Sequence, residues 1–391
     1  MDRVETRRAG IAFVGTGFVA DYYMTTLANH PTLHLLGAFD RAQDQLRRFC
    51  GFYGVRAYAS LDELLADAGV DIVINLTNPE GHFEISDRAL RAGKHVYSEK
   101  PLAMDYGDAA ALVRLADERG LVVAAAPANG LGAAYRSVEK ALAAGSIGPP
   151  RLVYAEMDDG PVFRENWQSW RSRSGAPWPG PHEFEIGCTL EHAGYALTWL
   201  VSLFGPVERL TCFSALAFPD KGVGDHRLGP DFSVGCLNFR SGMIARLTSG
   251  LAAPRDRSFT ILGDRGSITV RDLLDHHSVV HLERTDMPPR KTEKVLRHVE
   301  FRMNRKLPWK LVPGRRLAVE KDDLKLPNFP SLMDFCAGIA AQADAIEKGG
   351  APFFSGNVAL HITEIALALS NAGPAAIPYE AKSGFTFPAA A

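Results

Sequence analysis

Glycines near the amino terminus have the spacing of a phosphate-binding turn. The segment Gly15-Thr16-Gly17-Phe18-Val19-Ala20 follows the apolar run Ile11-Ala12-Phe13-Val14 and precedes a helical pattern. In a strand–turn–helix unit, such glycines allow a tight turn and let a pyrophosphate approach the backbone N–H groups at the start of the helix. We therefore expect Gly15, Thr16, Gly17, Phe18 and Val19 to contact a dinucleotide.

An acidic residue ends the next apolar run. Leu33 to Phe39 is β-prone and stops at Asp40, which is followed by Arg41. A carboxylate at the end of the second strand accepts hydrogen bonds from the ribose hydroxyls of NAD and repels the 2′-phosphate of NADP. NAD is therefore the expected cofactor. Because the Arg41 guanidinium is suited to pairing with a phosphate, NADP remains possible.

Alternating strands and helices must position these residues. Strand patterns cover 11–14, 33–39, 70–75, 95–97 and 121–126; helical patterns cover 19–28, 82–92 and 108–119; and Ser60-Leu61-Asp62-Glu63 has the form of a capping box. This alternation predicts a parallel, doubly wound sheet. The expected fold class is α/β, with an amino-terminal dinucleotide-binding Rossmann domain over residues 1–128.

The pattern changes after Gly145–Pro150. Stretches with period two at 151–157, 207–213, 233–239, 243–249 and 258–262 indicate strands, and 331–347 and 357–371 have helical patterns. Successive strands of this kind form antiparallel pairs. We expect residues 129–391 to form a substrate-binding and oligomerisation domain of the α+β class, with an open, mostly antiparallel sheet.

Two further segments resemble a known family. Thr77-Asn78-Pro79-Glu80-Gly81-His82 resembles its T-P-x-x-x-H loop, with one extra residue before the proline, and residues 92–103, AGKHVYSEKPLA, resemble its A-G-K-H-V-x-x-E-K-P-L-A segment. This is the Gfo/Idh/MocA family, the glucose–fructose oxidoreductase and inositol dehydrogenase group. The similarity is close to about residue 155 and looser beyond it. It implies cofactor contacts from Thr77, Asn78, Pro79, His82, Glu99 and Lys100.

The family resemblance also implies that Lys100 lies beside the nicotinamide and the reacting carbinol. An ammonium at that place lowers the cost of alkoxide-like charge during hydride transfer and can relay the proton. Glu99 and Pro101 would support the loop, with Pro101 in a cis peptide bond as in the family.

The second domain departs from the family pattern. Members carry a D-x-G-x-H segment on a helix, followed by a leucine-rich stretch ending in L-x-G. Counting back from Leu203-Phe204-Gly205, the matching stretch is Glu191-His192-Ala193-Gly194-Tyr195, with glutamate at the aspartate position and tyrosine at the histidine position. The family pattern therefore does not identify the proton-transfer group of this chain.

Two assignments are open. In the first, Tyr195 pairs with Lys100, whose charge lowers the pKa of the tyrosine. In the second, Lys100 acts alone while Tyr195 only hydrogen-bonds the sugar, or His192 serves instead. Glu191 and Tyr195 are four residues apart and share a helix face, so both can point at the nicotinamide. The catalytic candidates are Lys100, Glu191, His192 and Tyr195; a buried, purely structural Glu191–His192 cluster is the alternative.

A loop rich in tryptophan and arginine follows the first strand of the second domain. Residues 163–179 contain Trp167, Trp170, Arg171 and Trp178. Tryptophan offers a flat apolar face to sugar C–H groups, and arginine offers paired donors to oxygens. We expect Trp167, Arg171 and Trp178 to bind substrate, unless the loop is a lid or dimer arm without ligand contact. Asn129, at the domain junction, is a further polar candidate.

A basic stretch runs from Arg290 to Arg316. It has ten lysines or arginines against Glu293 and Glu300, a surplus of eight positive charges. Such a stretch is usually a solvated loop. The alternative is that it receives the diphosphate of a nucleotide-linked sugar.

The composition favours a small-molecule partner. A net charge of −2 provides no field that attracts nucleic acid or an acidic membrane, and no run of 18 apolar residues predicts a membrane span. The five cysteines are odd in number, without C-x-x-C or metal-ligand spacing, which predicts reduced thiols, a cytoplasmic location and no metal site.

We therefore predict an NAD-dependent oxidoreductase that moves a hydride to or from a carbinol or keto carbon of a sugar or nucleotide sugar, acting as a homodimer or homotetramer. One alternative is a glycosidase that oxidises its sugar transiently with bound NAD, as some branches of the family do. A lesser alternative is a regulator of the same fold that senses nucleotides without catalysis.

Overall fold

The structure is a computed structural model that describes residues 8–286, 291–305, 314–328, 331–375 and 378–386. Its first sheet has five parallel strands in the order β2-β1-β3-β4-β5. They are β1 Ala9–Val14, β2 Leu33–Phe39, β3 Ile72–Asn75, β4 His95–Ser98 and β5 Val123–Ala125. Because both faces of a parallel sheet are covered by helices, these strands are almost continuously apolar. The predicted Rossmann-type sheet is confirmed.

Helices connect these strands: α1 Phe18–Thr26, α2 Gln43–Tyr53, α3 Leu61–Ala66, α4 His82–Arg91 and α5 Tyr106–Arg119. The predicted cap at α3 is present, because the Ser60 hydroxyl accepts from the Glu63 N–H at 3.0 Å. The Glu63 carboxylate reaches back one residue further than in a capping box and accepts from the Ala59 N–H at 2.7 Å. Helix α2 was not predicted from the sequence.

The second sheet has nine strands in the order β13-β12-β11-β10-β6-β9-β8-β7-β14. They are β6 Pro150–Asp158, β7 Val207–Ala215, β8 Phe232–Phe239, β9 Ile244–Gly250, β10 Phe259–Gly263, β11 Gly266–Val270, β12 Val280–Arg284, β13 Arg315–Arg316 and β14 Pro378–Glu380. All neighbouring pairs are antiparallel except β6 and β9, which are parallel. The predicted mostly antiparallel sheet is confirmed.

Six helices belong to the second half of the chain: α6 Ala133–Ala143, α7 Gly180–Ile186, α8 Cys188–Phe204, α9 Lys291–Met303, α10 Ala337–Glu347 and α11 Gly356–Ser370. Most of α8 is buried. Gly187, with φ +85°, separates α7 from α8, and a Cβ there would lie 2.6 Å from the Pro230 carbonyl oxygen. The prediction of a helix over 331–347 was wrong for its first six residues, since α10 begins only at Ala337.

The carboxyl-terminal helices return to the first sheet. On α10, the buried Gln342 amide donates to the carbonyls of Val96 and Val122 at 3.0 and 3.2 Å. On α11, the Thr363 hydroxyl accepts from the Leu102 N–H at 3.1 Å. One hydrophobic core accordingly contains residues of both sheets. The division of the chain near residue 128 remains a proposal. Hydrogen bonds and a shared hydrophobic core connect the parts on either side of it.

Two further observations concern the cysteines and the lengths of the helices. All five cysteines are free thiols, and only Cys236 is exposed. Within the described part of the chain, no helix has both the length and the apolar character needed to cross a membrane.

Candidate functional site

A cavity of about 580 Å³ lies between the two sheets, beyond the carboxyl ends of the first sheet's strands. In open α/β sheets this is where ligands bind. From the first half of the chain its walls include Gly17, Phe18, Val19, Thr77, Asn78, Pro79, His82, Glu99 and Lys100, and from the second half Asp159, Trp170, Arg171, Trp178, Glu183, Glu191, His192, Tyr195, Arg255 and Arg257. The structure thus brings most of the predicted site residues together.

The glycine turn forms one end of this cavity. Gly15 has φ +99°, and a Cβ there would lie 2.5 Å from the Leu76 carbonyl oxygen, so only glycine fits. Gly17 caps α1, and no side chain bonds to the free N–H groups of that helix end. A Cβ on Gly17 would meet only Gln45, at 3.6 Å, so the space before the helix is open. This opening can accept an anion.

Asp40 is fixed at the end of β2. Its Oδ2 accepts from the Thr16 N–H at 2.8 Å, the Thr16 hydroxyl at 3.0 Å and Gln45 Nε2 at 3.0 Å. Among the described residues, its Oδ1 accepts a hydrogen bond only from the Ala42 N–H, at 2.8 Å. Since each carboxylate oxygen has about two acceptor sites, Oδ1 keeps capacity for a ligand hydroxyl. Thr16 itself is buried and braces Asp40, and Arg41 is exposed.

Hydrogen bonds hold the two loops that carry Thr77 and Lys100. The buried His82 ring lies 2.9 Å from the Thr77 carbonyl and 2.6 Å from the Pro101 carbonyl. Glu99 accepts from the Tyr23 hydroxyl at 2.7 Å and from the Lys100 N–H at 3.1 Å. The Lys100–Pro101 bond is cis, as the resemblance implied. His82 and Glu99 therefore position the loops at the cavity.

Lys100 and Glu191 form a buried ion pair inside the cavity. Lys100 Nζ donates to Glu191 Oε2 at 2.6 Å, and the two side chains are only 13% and 11% exposed. Burial by itself lowers the pKa of Lys100, but Glu191, Tyr195, Glu99 and Glu183 together outweigh burial and raise that pKa, with Glu191 contributing most among them. Burial likewise raises the pKa of Glu191, but Lys100, His192 and a hydrogen bond with Glu183 together outweigh burial and lower it, with Lys100 contributing most among them. Both groups are charged at neutral pH.

Glu183, which the sequence analysis missed, is the third member of this cluster. Burial, and then repulsion by Glu191, raise the pKa of Glu183 well above its usual value, which favours its protonated form beside the Glu191 carboxylate. Glu183 lies on α7 and Glu191 on α8, on either side of the bend at Gly187. No helical spacing relates residues across such a bend, so the sequence carried no signal for this pairing.

The structure corrects the expectation for Tyr195. Burial raises the pKa of its hydroxyl, and the Lys100 charge offsets only part of that effect. Lys100 Nζ is 5.9 Å from the centre of the Tyr195 ring and is paired with Glu191 instead. Tyr195 is therefore protonated at neutral pH, where it acts as a hydrogen-bond donor.

His192 belongs to a separate pair. Its Nε2 is 2.7 Å from Asp159 Oδ2, and Asp159 also accepts from Arg257. Burial opposes the ionised form of Asp159, but His192 and Arg257 together lower its pKa. The His192 Nδ1 atom is buried and has no hydrogen-bond partner in the part of the chain that the structure describes. Glu191 and His192 thus face different partners rather than forming one structural cluster.

Only some of the residues predicted to bind substrate in the tryptophan-rich loop line the cavity. Trp170, Arg171 and Trp178 line it. Arg171 Nη1 donates to the carbonyls of Gln168 and Trp170, each at 2.8 Å, which fixes the guanidinium. Trp167 is buried against Trp178 and Phe184, with ring centroids 5.9 and 5.6 Å apart, and it supports the loop instead of facing the cavity.

Two other sequence candidates lie away from the cavity. The Asn129 amide donates to the carbonyls of Tyr195 and Leu273 at 3.0 and 3.3 Å, so it braces the cavity wall. The basic stretch falls partly outside the described residues, at 290 and 306–313. Its described part forms the exposed helix α9, not the expected loop, together with strand β13, and none of those described residues lines the cavity.

Comparison with known proteins decides the family. Residues 9–126 match the profile described as the oxidoreductase family with an NAD-binding Rossmann fold, and residues 135–269 match the GFO/IDH/MocA C-terminal domain. The chain belongs to the Gfo/Idh/MocA family of oxidoreductases.

Individual relatives act on sugars and nucleotide sugars. A 1,5-anhydro-D-fructose reductase of Ensifer adhaerens is 29% identical over 231 residues, 57% of this chain and 64% of that protein. A dTDP-3,4-didehydro-2,6-dideoxy-alpha-D-glucose 3-reductase of Streptomyces violaceoruber is 29% identical over 250 residues, 63% of this chain and 68% of that protein. The chain thus spans about two thirds of the length of these two relatives, and their substrates are not established for it.

A solved structure shows the same fold along nearly the whole chain. The UDP-N-acetylglucosamine 3-dehydrogenase of Acidithiobacillus ferrooxidans superposes with a TM-score of 0.68 and 20% identity, covering 94% of this chain and 98% of that one. At this identity the likeness concerns the fold alone.

Asp21 connects the cofactor helix to the tryptophan-rich loop. Its carboxylate accepts from the Ser172 hydroxyl at 2.6 Å and from the Ser174 N–H and hydroxyl at 2.9 and 2.8 Å. It also accepts from the Tyr53 hydroxyl. Because Asp21 lies on α1 and is buried, the loop is held over the glycine turn by a satisfied polar cluster.

We expect Asp21→Ala to release this loop. Leaving several buried donors unpaired costs about 1–3 kcal/mol for each group. Trypsin should then cleave within residues 163–179 at least several-fold faster than in the parent, while kcat changes less than KM. Asp44→Ala, which removes a carboxylate 94% exposed on α2, is the matched control. Equal cleavage rates in both variants would show that Asp21 does not hold the loop.

Proposed function

We propose that this chain is an NAD-dependent oxidoreductase that transfers a hydride between the nicotinamide and a carbinol or keto carbon of a sugar or nucleotide sugar. The observation that carries the proposal is the buried Lys100–Glu191 pair, 2.6 Å apart, in a cavity bounded by the glycine turn and the tryptophan-rich loop. The relatives named as sugar and nucleotide-sugar reductases support the substrate class.

The residues present fit a dinucleotide. The open space before α1 suits a pyrophosphate, and the free acceptor capacity on Asp40 Oδ1 suits a ribose hydroxyl. Thr77, Asn78 and Pro79 then contact the cofactor between the turn and Lys100. When bound, the nicotinamide supplies or accepts the hydride.

Lys100 stabilises the charge on the substrate oxygen. Because Glu191 keeps the lysine protonated, its ammonium donates a hydrogen bond to an oxygen that becomes alkoxide-like as the hydride moves. Tyr195, also protonated, donates a second hydrogen bond. These two donors are preorganised by burial and by the pairing of Lys100 with Glu191, so little rearrangement accompanies the reaction.

His192 is the group best placed to exchange the proton. The His192 ring lines the cavity, and its Nε2 atom lies 2.7 Å from Asp159 Oδ2. In oxidation, the imidazole accepts the carbinol proton; in reduction, the imidazolium returns it to the oxygen. Of the two assignments that the sequence left open, this proposal favours the one in which His192 serves in place of Tyr195.

The substrate binds between the tryptophans and the catalytic pair. Trp170 and Trp178 lie on one side of the cavity and present aromatic faces to sugar C–H groups, and the fixed guanidinium of Arg171 donates to substrate oxygens.

A second candidate function rests on Glu183. A neutral carboxylic acid close to Lys100 can protonate a departing glycosidic oxygen, which is the step that a glycosidase with transient oxidation requires after the sugar is oxidised. Release of an aglycone without net formation of NADH identifies this activity. Net NADH formation or consumption in step with substrate identifies the dehydrogenase.

The exposed face of the second sheet is the proposed contact between subunits of a homodimer or homotetramer. Tyr154 and Ile244, on β6 and β9, are 38% and 46% exposed there, and apolar patches on a sheet face commonly mark such contacts.

We expect Asp40 to make NAD the preferred cofactor. Asp40→Asn keeps an oxygen that can accept hydrogen bonds from Thr16 but removes the negative charge. The ratio of NADP affinity to NAD affinity should therefore rise by about tenfold, corresponding to roughly 1.4 kcal/mol. Titration of both cofactors by tryptophan fluorescence measures this ratio. Asp44→Asn is the control for a general charge effect. Tighter binding of NADP by the parent would show that Arg41 controls the pocket.

Lys100→Ala should lower kcat by about a hundredfold or more, because the substrate oxygen loses its charged donor. Dinucleotide affinity should stay within a few-fold, since the glycine turn is intact. Lys140→Ala, at an exposed position on α6, controls for the loss of a lysine. Activity of Lys100→Ala near that of the parent would refute this role.

His192 and Tyr195 are separated by their kinetic signatures. We expect His192→Ala to lower kcat and kcat/KM together by about a hundredfold and to remove one limb of the pH profile. Tyr195→Phe should mainly raise KM, since only a hydrogen-bond donor is lost. The opposite pattern, with the pH limb lost in Tyr195→Phe, would return the acid/base role to the tyrosine.

A further inference from the structure

Two histidines and an aspartate converge outside the catalytic cavity. His276 and His277 lie in the loop between β11 and β12, and Asp322 lies in the segment before α10. His276 Nε2 is 2.8 Å from Asp322 Oδ2, and His277 Nε2 is 3.0 Å from Asp322 Oδ1. One ligand atom of each residue is within 4.8 Å of the other two. The potential ligand atoms of the three side chains therefore lie close together.

Two of these atoms are close together but do not bond to each other. His277 Nε2 and Asp322 Oδ1 are shielded from solvent, and neither has a hydrogen-bond partner among the described residues despite their 3.0 Å separation. A buried polar atom without a partner is costly, and such atoms are rare in folded proteins. Their lone pairs are thus available to a third atom between them.

Two of the three separations between ligand atoms match the edges of an octahedral metal coordination sphere. Metal–nitrogen and metal–oxygen bonds of about 2.1 Å at right angles place neighbouring ligand atoms about 3.0 Å apart. The observed separations are 2.8 and 3.0 Å. Two imidazoles and one carboxylate suit Fe²⁺, Co²⁺, Ni²⁺ or Zn²⁺ rather than Mg²⁺ or Ca²⁺. We propose that His276, His277 and Asp322 bind one divalent transition metal ion, with water in the remaining positions.

The surrounding structure holds the ligands in place. The His276 N–H donates to the Leu332 carbonyl at 3.0 Å, and the His276 carbonyl accepts from the Ala134 N–H at 2.9 Å. The His277 N–H donates to Asp275 Oδ1 at 3.0 Å. The loop is therefore set before an ion arrives, which lowers the ordering cost of binding.

A neighbouring guanidinium does not exclude the ion. Arg136 Nη2 is 3.9 Å from Asp322 Oδ2, beyond hydrogen-bond distance, and Arg136 Nε is 3.7 Å from Glu320. Glu320 offsets the charge of Arg136, so the ion faces Asp322 directly.

The position of the site indicates a structural role. The loop that carries both histidines also carries Leu274, which lines the catalytic cavity. A metal that joins this loop to Asp322 stabilises that wall and takes no part in hydride transfer. The sequence did not predict it, because Asp322 is far along the chain from the adjacent histidines and no ligand spacing links them.

Cobalt titration of the untagged, EDTA-treated protein tests the proposal. We expect visible d–d absorption that saturates at one Co²⁺ per chain, is displaced by Zn²⁺, and is accompanied by a higher Tm when metal is present. His277→Ala and Asp322→Asn should lose the saturable absorption and the Tm increase. His34→Ala, which removes an exposed histidine, should retain both.

Circular dichroism and Tm in EDTA establish whether the variants are folded. If His277→Ala does not fold, the conservative variant Asp322→Asn provides the test. No saturable absorption in the parent, or equal absorption in His277→Ala and His34→Ala, would overturn the site and leave the cluster as a metal-free histidine–aspartate contact.

Discussion

The buried Lys100–Glu191 pair is the interaction on which the site depends. A charged lysine out of water must be compensated, and removing one partner of such a pair typically costs about 3–5 kcal/mol. Lys100 follows β4 of the first sheet, and Glu191 belongs to α8 on the second. The pair therefore requires the two sheets to lie in one fixed relation, and it places an ammonium where the dinucleotide turn and the substrate loop meet.

Helix α1 serves several of these requirements at once. Its amino terminus opens toward the space for a pyrophosphate, its Asp21 holds the tryptophan-rich loop, and its Tyr23 donates to Glu99 next to Lys100. Helix α1 thus joins the glycine turn to the tryptophan-rich loop and to the segment that carries Lys100. Helices α10 and α11 strengthen this connection, because Gln342 and Thr363 bond to the first sheet and its loops.

Patterns within one element were readable from the sequence, and pairings between elements were not. Apolar runs and turn residues identified the five strands of the first sheet and strands β6 to β10 of the second, and the E-K-P segment identified the family. Strands β11 to β14 were not predicted. Helix α2 was missed although Leu46, Phe49, Cys50 and Tyr53 have the spacing of an amphipathic helix. Glu183 was missed because the bend at Gly187 interrupts the spacing to Glu191, and Trp167 was assigned to substrate although its ring packs under the loop. The Tyr195 expectation failed because burial, which a sequence does not give, outweighs the charge of Lys100.

The most direct test of this account is a crystal structure of the protein with its dinucleotide. The account predicts the pyrophosphate against the backbone at Gly17, a ribose hydroxyl on Asp40 Oδ1, and the nicotinamide beside Lys100, with Lys100 still paired to Glu191. A nicotinamide outside the cavity between the sheets, or a Lys100 ammonium turned away from both the ring and Glu191, would contradict it.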